Sequence, residues 1–307
     1  MTLTQPRRTT GVSPAPASRR RSLVALWAVV GGTLLAVVWS YRLVDDTIGD
    51  NVANGILGYD AEETAISGAL TGALFALVTG LAGTFTACNI AVFGVLPEMT
   101  GRDQGRLRAA LKPMGWLAIG MLAVSAAYGA AAVLIGPSLP QLSADTVGSG
   151  IPVRLVQASV TFGVIGLVFV YLGLVSLGYL RDPFAARPRT RMIVVGALVG
   201  GFLVGRPYPL FAKLLGYAIE QGNPLYGSLT FVLQSVGNIL VMGLLAAALL
   251  VVVTRTRFGR WMARPQNAAL AAGSALVLFG TFLVVYWDLR LPAMFGYGWF
   301  PSMPWNV

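Results

Sequence analysis

Long apolar runs alternate with short polar connections along most of the chain. Seven of these runs are at least as long as the roughly 20 residues that a helix needs to cross the hydrocarbon core of a bilayer. They are residues 23–43, 67–97, 115–136, 153–180, 192–218, 229–253 and 267–288. The pattern predicts an all-α, polytopic membrane protein in which an anchor helix (22–44) precedes a six-helix transmembrane core (67–290).

Seventeen of the 22 basic residues lie in alternate connections. They cluster before the first run and after the second, fourth and sixth runs, whereas connections 44–66, 137–152 and 219–228 contain no Lys or Arg. The positive-inside rule therefore predicts a multi-pass protein of the cell (inner or plasma) membrane, with its N-terminus in the cytoplasm and its C-terminus outside. Basic loops beside anionic lipid account for the net charge of +10, so we expect membrane lipid as a partner and no nucleic acid.

The polar ends of the chain fit the same topology. Residues 1–21 are rich in Pro, Ser, Thr and Arg and predict a disordered basic cytoplasmic tail. Residues 45–66 form an acidic loop and residues 291–307 a tail, both on the extracytoplasmic side.

Histidine is absent and there is one cysteine, Cys88. The chain therefore cannot form an internal disulfide, and it offers no imidazole for a zinc or haem site. No nucleotide-binding glycine motif occurs in a strand–helix context. We expect no cofactor and no bound metal, and a membrane carrier or transporter rather than an enzyme.

The six core runs divide into two halves of three, 67–180 and 192–288. Because three is odd, the second half must be inverted relative to the first, which is a common plan among transporters. Each half begins with a Gly- and Pro-interrupted run, the first ending near Pro97 and the second broken by Pro207 and Pro209. An offset of 118 residues superposes the two, placing Cys88 on Arg206 and Gly83 on Gly201.

Arg206 lies in the middle of its apolar run, where an arginine costs about 2.5–3.5 kcal/mol on insertion scales. It either bonds carbonyl groups that the prolines leave free, or binds an anionic group in a central cavity. Polar residues elsewhere in the apolar runs are the other candidates for substrate binding, and Gln234 and Asn238 share one helix face because they are four residues apart. The predicted substrate-binding residues are Arg206, Tyr208, Asn89, Gln234 and Asn238.

Two segments carry a resemblance to a known family. Ala87-Cys88 followed by Leu96-Pro97, and Gly205-Arg206-Pro207 in the second half, resemble the paired motifs of the cytochrome c biogenesis and thiol-disulfide interchange family (DsbD/CcdA type). The resemblance covers about residues 66–288. It implies thiol or redox delivery across the membrane, with Cys88 as the redox-active residue and a thioredoxin-like or other membrane protein as partner. The second cysteine of the family is replaced here by Arg206-Pro207.

Two other functions are compatible with the same pattern. One is a solute or ion transporter, including a transporter of a soft metal ion, with a central site around Arg206. The other is a membrane scaffold without a transported species.

Overall fold

The architecture comes from a computed structural model of the chain. The structure describes residues 18–40, 42–83, 107–147, 150–206, 208–254, 256–257, 261, 264–301 and 303–306. Ten α-helices lie within these residues. They are α1 (Ser18–Val38), α2 (Asp50–Leu57), α3 (Ala69–Ala82), α4 (Leu107–Ile135), α5 (Val153–Leu177), α6 (Pro188–Gly205), α7 (Pro209–Glu220), α8 (Pro224–Thr254), α9 (Pro265–Val284) and α10 (Leu291–Met294).

The structure also contains short π-helical, 3-10 and β-strand segments. Two π-helical segments, Arg42–Gly49 and Val285–Arg290, flank α2 and α9, and three short 3-10 helices lie at Gly136–Ser138, Pro140–Leu142 and Pro304–Asn306. The strands β1 (Thr146–Val147) and β2 (Ile151–Pro152) form one small antiparallel ladder, in which Val147 lies opposite Ile151. The segment predicted as an acidic loop, 45–66, thus contains helical structure.

The predicted fold class is confirmed. Six helices, α1, α4, α5, α6, α8 and α9, are long and apolar enough to cross a membrane, and α3 is a shorter apolar helix. Helix α3 represents the described part of the predicted run 67–97, and the remainder of that run lies outside the described residues. The protein is therefore an all-α, multi-pass membrane protein.

The helices pack in a continuous row. Helix α3 packs against α8, α8 against α4, α4 against α6, α6 against α5, α5 against α9, and α9 against α1. Helix α7 lies against α3, α4 and α8. We call the end where α1 begins, α5 ends and α6 begins the basic face, after its arginines, and the opposite end the acidic face, after the carboxylates of residues 45–63.

The two halves use the same positions to pack. A Cβ added at Gly80 of α3 would overlap the carbonyl oxygen of Gln234 of α8, and one added at Gly196 of α6 would overlap that of Leu117 of α4. Gly80 and Gly196 are 116 residues apart, and Leu117 and Gln234 are 117 apart. The helix pair α3–α8 is thus repeated by the pair α6–α4.

The reciprocal contacts repeat in the same way. Gly237 of α8 lies against the carbonyl of Leu77, and Gly120 of α4 lies against the carbonyl of Ile193, again with offsets of 117 and 116 residues. Helix axes approach this closely only where a small residue such as glycine faces the neighbouring backbone. The inverted three-plus-three plan therefore rests on four matched contacts. The offset is 116 residues between α3 and α6 and 117 between α4 and α8, compared with the 118 that superposes Gly83 on Gly201 in sequence.

The third helices of the two halves, α5 and α9, are antiparallel and pack against each other. Helices α5 and α9 meet through the glycine pairs Gly166–Gly280 and Gly173–Gly273, in each of which an added Cβ would crowd the partner's carbonyl group. Each glycine of a pair is the close neighbour of the other, as a two-fold relation between the helices requires.

Helix α1 is an integral part of this arrangement. Gly32 lies against the carbonyl of Leu278 in α9. At the far end of α1, the buried guanidinium of Arg290 donates from Nη1 to the carbonyls of Ala36 (2.7 Å) and Trp39 (2.8 Å). A cation at a helix C-terminus satisfies carbonyls that have no partner within the helix. Helix α1 is therefore packed and capped by the second half of the core.

The segment from Arg42 to Gly68 covers the acidic face of α3 and α7. The ammonium group of Lys213 in α7 donates to three carbonyls of this segment, those of Ala61 (2.8 Å), Glu62 (2.7 Å) and Thr64 (2.7 Å). Three donors bound to three acceptors saturate a lysine. Lys213 thus fastens the segment to α7.

Candidate functional site

The helix that begins at Pro188 is interrupted deep in the bundle. Helix α6 ends at Gly205 and α7 begins at Pro209, with extended backbone at Arg206 (φ −71°, ψ 116°). Pro207 and Pro209 have no N–H to donate, so the carbonyls four residues before them would lack partners in a continuous helix. About 21 Å of helix separates Met192 from Arg206 at 1.5 Å per residue, which places the break well inside a 30 Å hydrocarbon core.

Two glutamine side chains satisfy the carbonyls at the break. The Gln141 Nε2 donates to the carbonyls of Leu203 (3.1 Å) and Arg206 (2.8 Å), and the Gln157 Nε2 donates to that of Val204 (2.7 Å). Gln141 lies in the connection between α4 and α5, and Gln157 in the second turn of α5. The break is therefore held open by neutral amides, and Arg206 is not needed to cap it.

The amide oxygen of Gln141 is occupied as well. It accepts a hydrogen bond from the hydroxyl of Tyr128 in α4. Both ends of the Gln141 amide are thus used, so this side chain has a fixed position between α4 and α6.

Arg206 points away from the break towards α3. Its side chain is 5 % exposed, and Nη2 donates to the carbonyl of Gly83, just beyond the end of α3, over a long 3.2 Å. Its Nε is buried and has no hydrogen-bond partner in the part of the chain that the structure describes. No carboxylate among the described residues forms an ion pair with it. A buried guanidinium with so few partners keeps donors available for a ligand.

The ring of Tyr208 forms one wall beside Arg206. Its centre lies 5.4 Å from the guanidinium carbon of Arg206, and the residue is 3 % exposed. Its hydroxyl donates to Oδ1 of Asp50, the first residue of α2, at 3.0 Å. Tyr208 therefore connects the arginine to the segment that covers the acidic face.

The two polar residues of α8 differ in their surroundings. Gln234 is 1 % exposed, and neither atom of its amide has a partner among the described residues. Asn238, one turn further along α8, is also buried but is engaged by a neighbour. Between them, Ser235 shares a 2.6 Å hydrogen bond with Ser125 of α4. Of these residues, Gln234 alone is buried with unused hydrogen-bonding capacity in the described part of α8.

Helix α3 brings the arginine and the glutamine into one region. Gly80 lies against the main chain of Gln234, and Gly83 lies against the guanidinium of Arg206. These glycines are three residues apart, which is about 4.5 Å along the helix. The site thus combines a fixed positive charge with an amide that can both donate and accept.

The remaining predicted site residues are Cys88, Asn89 and the three prolines at the helix breaks. Cys88, Asn89, Pro97 and Pro207 lie outside the described residues, so their places relative to Arg206 stay predictions. In sequence, Cys88 follows Gly83 by five positions. Pro209 is the first residue of α7.

Several residues of the site were not predicted from sequence. Gln141, Gln157, Gly83 and Asp50 all contact the break or the residues around it. Gln157 carried a usable signal, because it is an amide inside an apolar run, as Gln234 is. Gln141 and Asp50 lie in polar connections, where such residues are ordinary.

Comparisons of the chain with protein-family models, with curated proteins and with solved structures find no match. Within the described ranges, no three carboxylate or thiol side chains come together closely enough to hold a metal ion. The fold and the site therefore define a class, a multi-pass α-helical membrane protein with a buried polar site at a broken helix.

Proposed function

We propose that this protein is a membrane transporter whose solute binds at the break between α6 and α7. The observation that carries the proposal is Arg206, a guanidinium that is 5 % exposed, lacks an ion-pair partner among the described residues and has a buried, unpartnered Nε. Ionisable residues at membrane depth are costly and as a rule serve function. Because Gln141 and Gln157 already bond the carbonyls of Leu203, Val204 and Arg206, capping of this break does not explain the arginine.

The architecture supports the same proposal. Inverted repeats with a discontinuous helix are typical of secondary transporters, whose sites lie where the halves meet. Here the broken helix α6–α7 belongs to the second half, and Arg206 contacts α3 of the first half through Gly83. We place the basic face in the cytoplasm of the cell that makes the protein, because its arginines follow the positive-inside rule.

The proposal is tested by flux. Purified protein is reconstituted into liposomes, and uptake of labelled acetate, lactate, phosphate, alanine and sodium ions is measured for the wild type and for Arg206→Ala. We expect saturable uptake of at least one anion and a loss of at least tenfold in Arg206→Ala. Arg189→Ala is the control, since Arg189 lies over the ring of Trp116 at the basic face, away from the break. No uptake by the wild type, or equal uptake by both proteins, would contradict the proposal.

A second candidate is thiol delivery through Cys88. The inverted three-plus-three arrangement of the helices is the plan that the resemblance to the thiol-disulfide interchange family implies. In this reaction the Cys88 thiolate attacks a disulfide of a thioredoxin-like partner, forming a mixed disulfide and releasing one partner thiolate. A thiolate of a second, reduced dithiol partner then attacks the Cys88 sulfur, which releases the first partner as a dithiol and leaves Cys88 joined to the second partner. The other thiolate of the second partner attacks this mixed disulfide, so the second partner is oxidised to its disulfide, Cys88 is freed, and two electrons have passed from the second partner to the first.

One substitution, Cys88→Ser, distinguishes thiol delivery from solute transport. A mixed disulfide that is trapped in cells by alkylation, and is absent in Cys88→Ser, would favour thiol delivery. Unchanged solute uptake in Cys88→Ser, with no trapped adduct in the wild type, would leave transport as the function.

A further inference from the structure

We infer that the ligand of the Arg206 site is a small carboxylate that carries a neutral hydroxyl group, bound by Arg206 at one end and by Gln234 at the other. The inference rests on the proposed transport function and names its substrate class. It is argued from the charge of the site, from its unused hydrogen-bonding groups and from its enclosure.

The charge of the site favours an anion. Arg206 contributes a full positive charge, and no described carboxylate pairs with it. The C-terminal ends of α3 and α6 each contribute about half a negative charge, and the N-terminal end of α7, which begins three residues after Arg206, contributes about half a positive charge. The balance remains positive, so a monovalent anion would be attracted and a cation repelled.

The geometry of the guanidinium favours an oxyanion. Arg206 uses Nη2 for a long bond to Gly83, and none of the described residues forms a hydrogen bond with its Nε. A guanidinium edge that includes Nε presents two parallel donors, which match the two oxygens of a carboxylate. A halide would use only one of the two directions.

The amide of Gln234 favours a neutral partner that both donates and accepts. Its Oε1 and Nε2 are both buried and have no partner among the described residues. A hydroxyl group can accept from Nε2 and donate to Oε1, whereas a second carboxylate would repel the amide oxygen. Leaving both atoms without a ligand is costly, because buried polar groups lose their bonds to water.

The surroundings limit the size of the ligand. The residues around Arg206 are apolar and tightly enclosed, and Leu203, Tyr208 and Phe211 are all at most 4 % exposed. Gly83 of α3 lies against the guanidinium of Arg206, and Gly80, three residues earlier, lies against the main chain of Gln234. This enclosure favours the smallest ligands that carry both a carboxylate and a hydroxyl group, such as lactate.

Equilibrium binding to the purified full-length protein tests the inference. Lactate and propionate are the probes, because they differ by one hydroxyl group. We expect the wild type to bind lactate about tenfold more tightly than propionate, since one well-placed hydrogen bond has about this effect. Gln234→Leu should bind both acids with the affinity of the wild type for propionate. Gln234→Met repeats the test if the leucine variant does not fold.

Two controls define the outcomes. Gln221→Leu removes the amide of an exposed glutamine at the end of α7 and should keep the lactate preference. Arg206→Ala should bind neither acid. Equal affinity of the wild type for both acids, a preference that survives Gln234→Leu, or no saturable binding of either acid would overturn the inference. Lactate that is bound but not transported would refute the proposed function alone, and acetate or phosphate transport without a lactate preference would refute the inference alone.

Discussion

Among the described residues, two arginines are buried, Arg206 and Arg290, and their surroundings are alike in three respects. Each is 5 % exposed, each lies over a tyrosine ring, and each donates to carbonyls at the C-terminal end of a helix from a different part of the chain. Tyr208 lies 5.4 Å from the first guanidinium and Tyr286 lies 5.0 Å from the second. Burial alone therefore does not distinguish a structural arginine from a functional one.

The difference lies in how far each guanidinium is satisfied. Arg290 forms two short hydrogen bonds, of 2.7 and 2.8 Å, to carbonyls of α1. Arg206 forms one bond of 3.2 Å and leaves a buried Nε unpartnered, beside a broken helix whose carbonyls other residues already cap. Arg290 has the contacts of a helix cap, whereas Arg206 has those that the proposed ligand site requires.

The largest expected effect is a difference in stability between the alanine variants of the two arginines. Arg290→Ala leaves the carbonyls of Ala36 and Trp39 without their donor, and at about 1–3 kcal/mol for each buried group we expect a loss of about 3 kcal/mol. Arg206→Ala removes one long bond and an uncompensated charge, so we expect a change within about 1 kcal/mol. The thermal midpoints of the purified variants in detergent provide the measurement.

The control for this pair is Arg290→Lys, whose ammonium can still donate to both carbonyls and should recover most of the lost stability. If Arg206→Ala were the more destabilised of the two alanine variants, the functional interpretation of Arg206 would be untenable.

Next in size is the effect of removing the amide that holds the break. Gln141→Leu loses the bonds to the carbonyls of Leu203 and Arg206 and leaves the hydroxyl of Tyr128 without its acceptor. We expect a loss of about 2 kcal/mol in stability, together with weaker lactate binding because Arg206 is no longer positioned. Calorimetry and equilibrium binding on the same preparation measure both.

Gln221→Leu, an exposed glutamine, should stay within about 0.5 kcal/mol of the wild type. Normal binding in a destabilised Gln141→Leu protein would show that the frame around the break does not place Arg206.

The fold was largely predictable because a bilayer restricts the choices. Spans of sufficient length, the basic connections and the odd number of helices in each half led to an all-α protein with inverted halves. The register between the halves was not predictable, because matching glycines in sequence gave an offset of 118. The contacts of Gly80 and Gly196 give 116. Glycines are common in such helices, and only packing reveals which of them face a neighbour.

The site was predictable only in part, for a different physical reason. Arg206 and Gln234 stand out in sequence because polar groups are expensive within apolar runs. The sequence does not distinguish Arg206 from Arg290, because the difference depends on which carbonyls each guanidinium reaches. Likewise, Gln141 lies in a polar connection, and nothing in its neighbours indicates that it reaches across to α6.

A smaller effect on binding is expected at Gly83. A Cβ at this position would overlap Nη2 of Arg206, and the guanidinium can move because it is the flexible end of a side chain. Gly83→Ala should therefore cost little stability, since its φ of −73° suits alanine, but should weaken lactate binding about tenfold. Isothermal titration measures the change.

Gly31→Ala is the matched substitution in α1, where the added methyl would meet only the side chain of Leu278. It should leave binding unchanged. Unaltered affinity in Gly83→Ala would mean that the ligand does not contact the guanidinium face turned towards α3.

The smallest expected effect concerns the link from Arg206 to the acidic face. Tyr208→Phe keeps the ring beside the guanidinium but loses the hydrogen bond to Asp50, which should cost about 1 kcal/mol. Tyr208→Leu loses the ring as well, and should cost more and also weaken lactate binding, because a cation gains from an aromatic face. Comparison of the two variants by thermal midpoint and by binding therefore isolates the ring from the hydroxyl. Loss of both lactate binding and stability in Tyr208→Phe would indicate that the hydrogen bond to Asp50 helps to position Arg206 for binding. An effect on stability alone would limit the hydroxyl to fastening the segment over the acidic face.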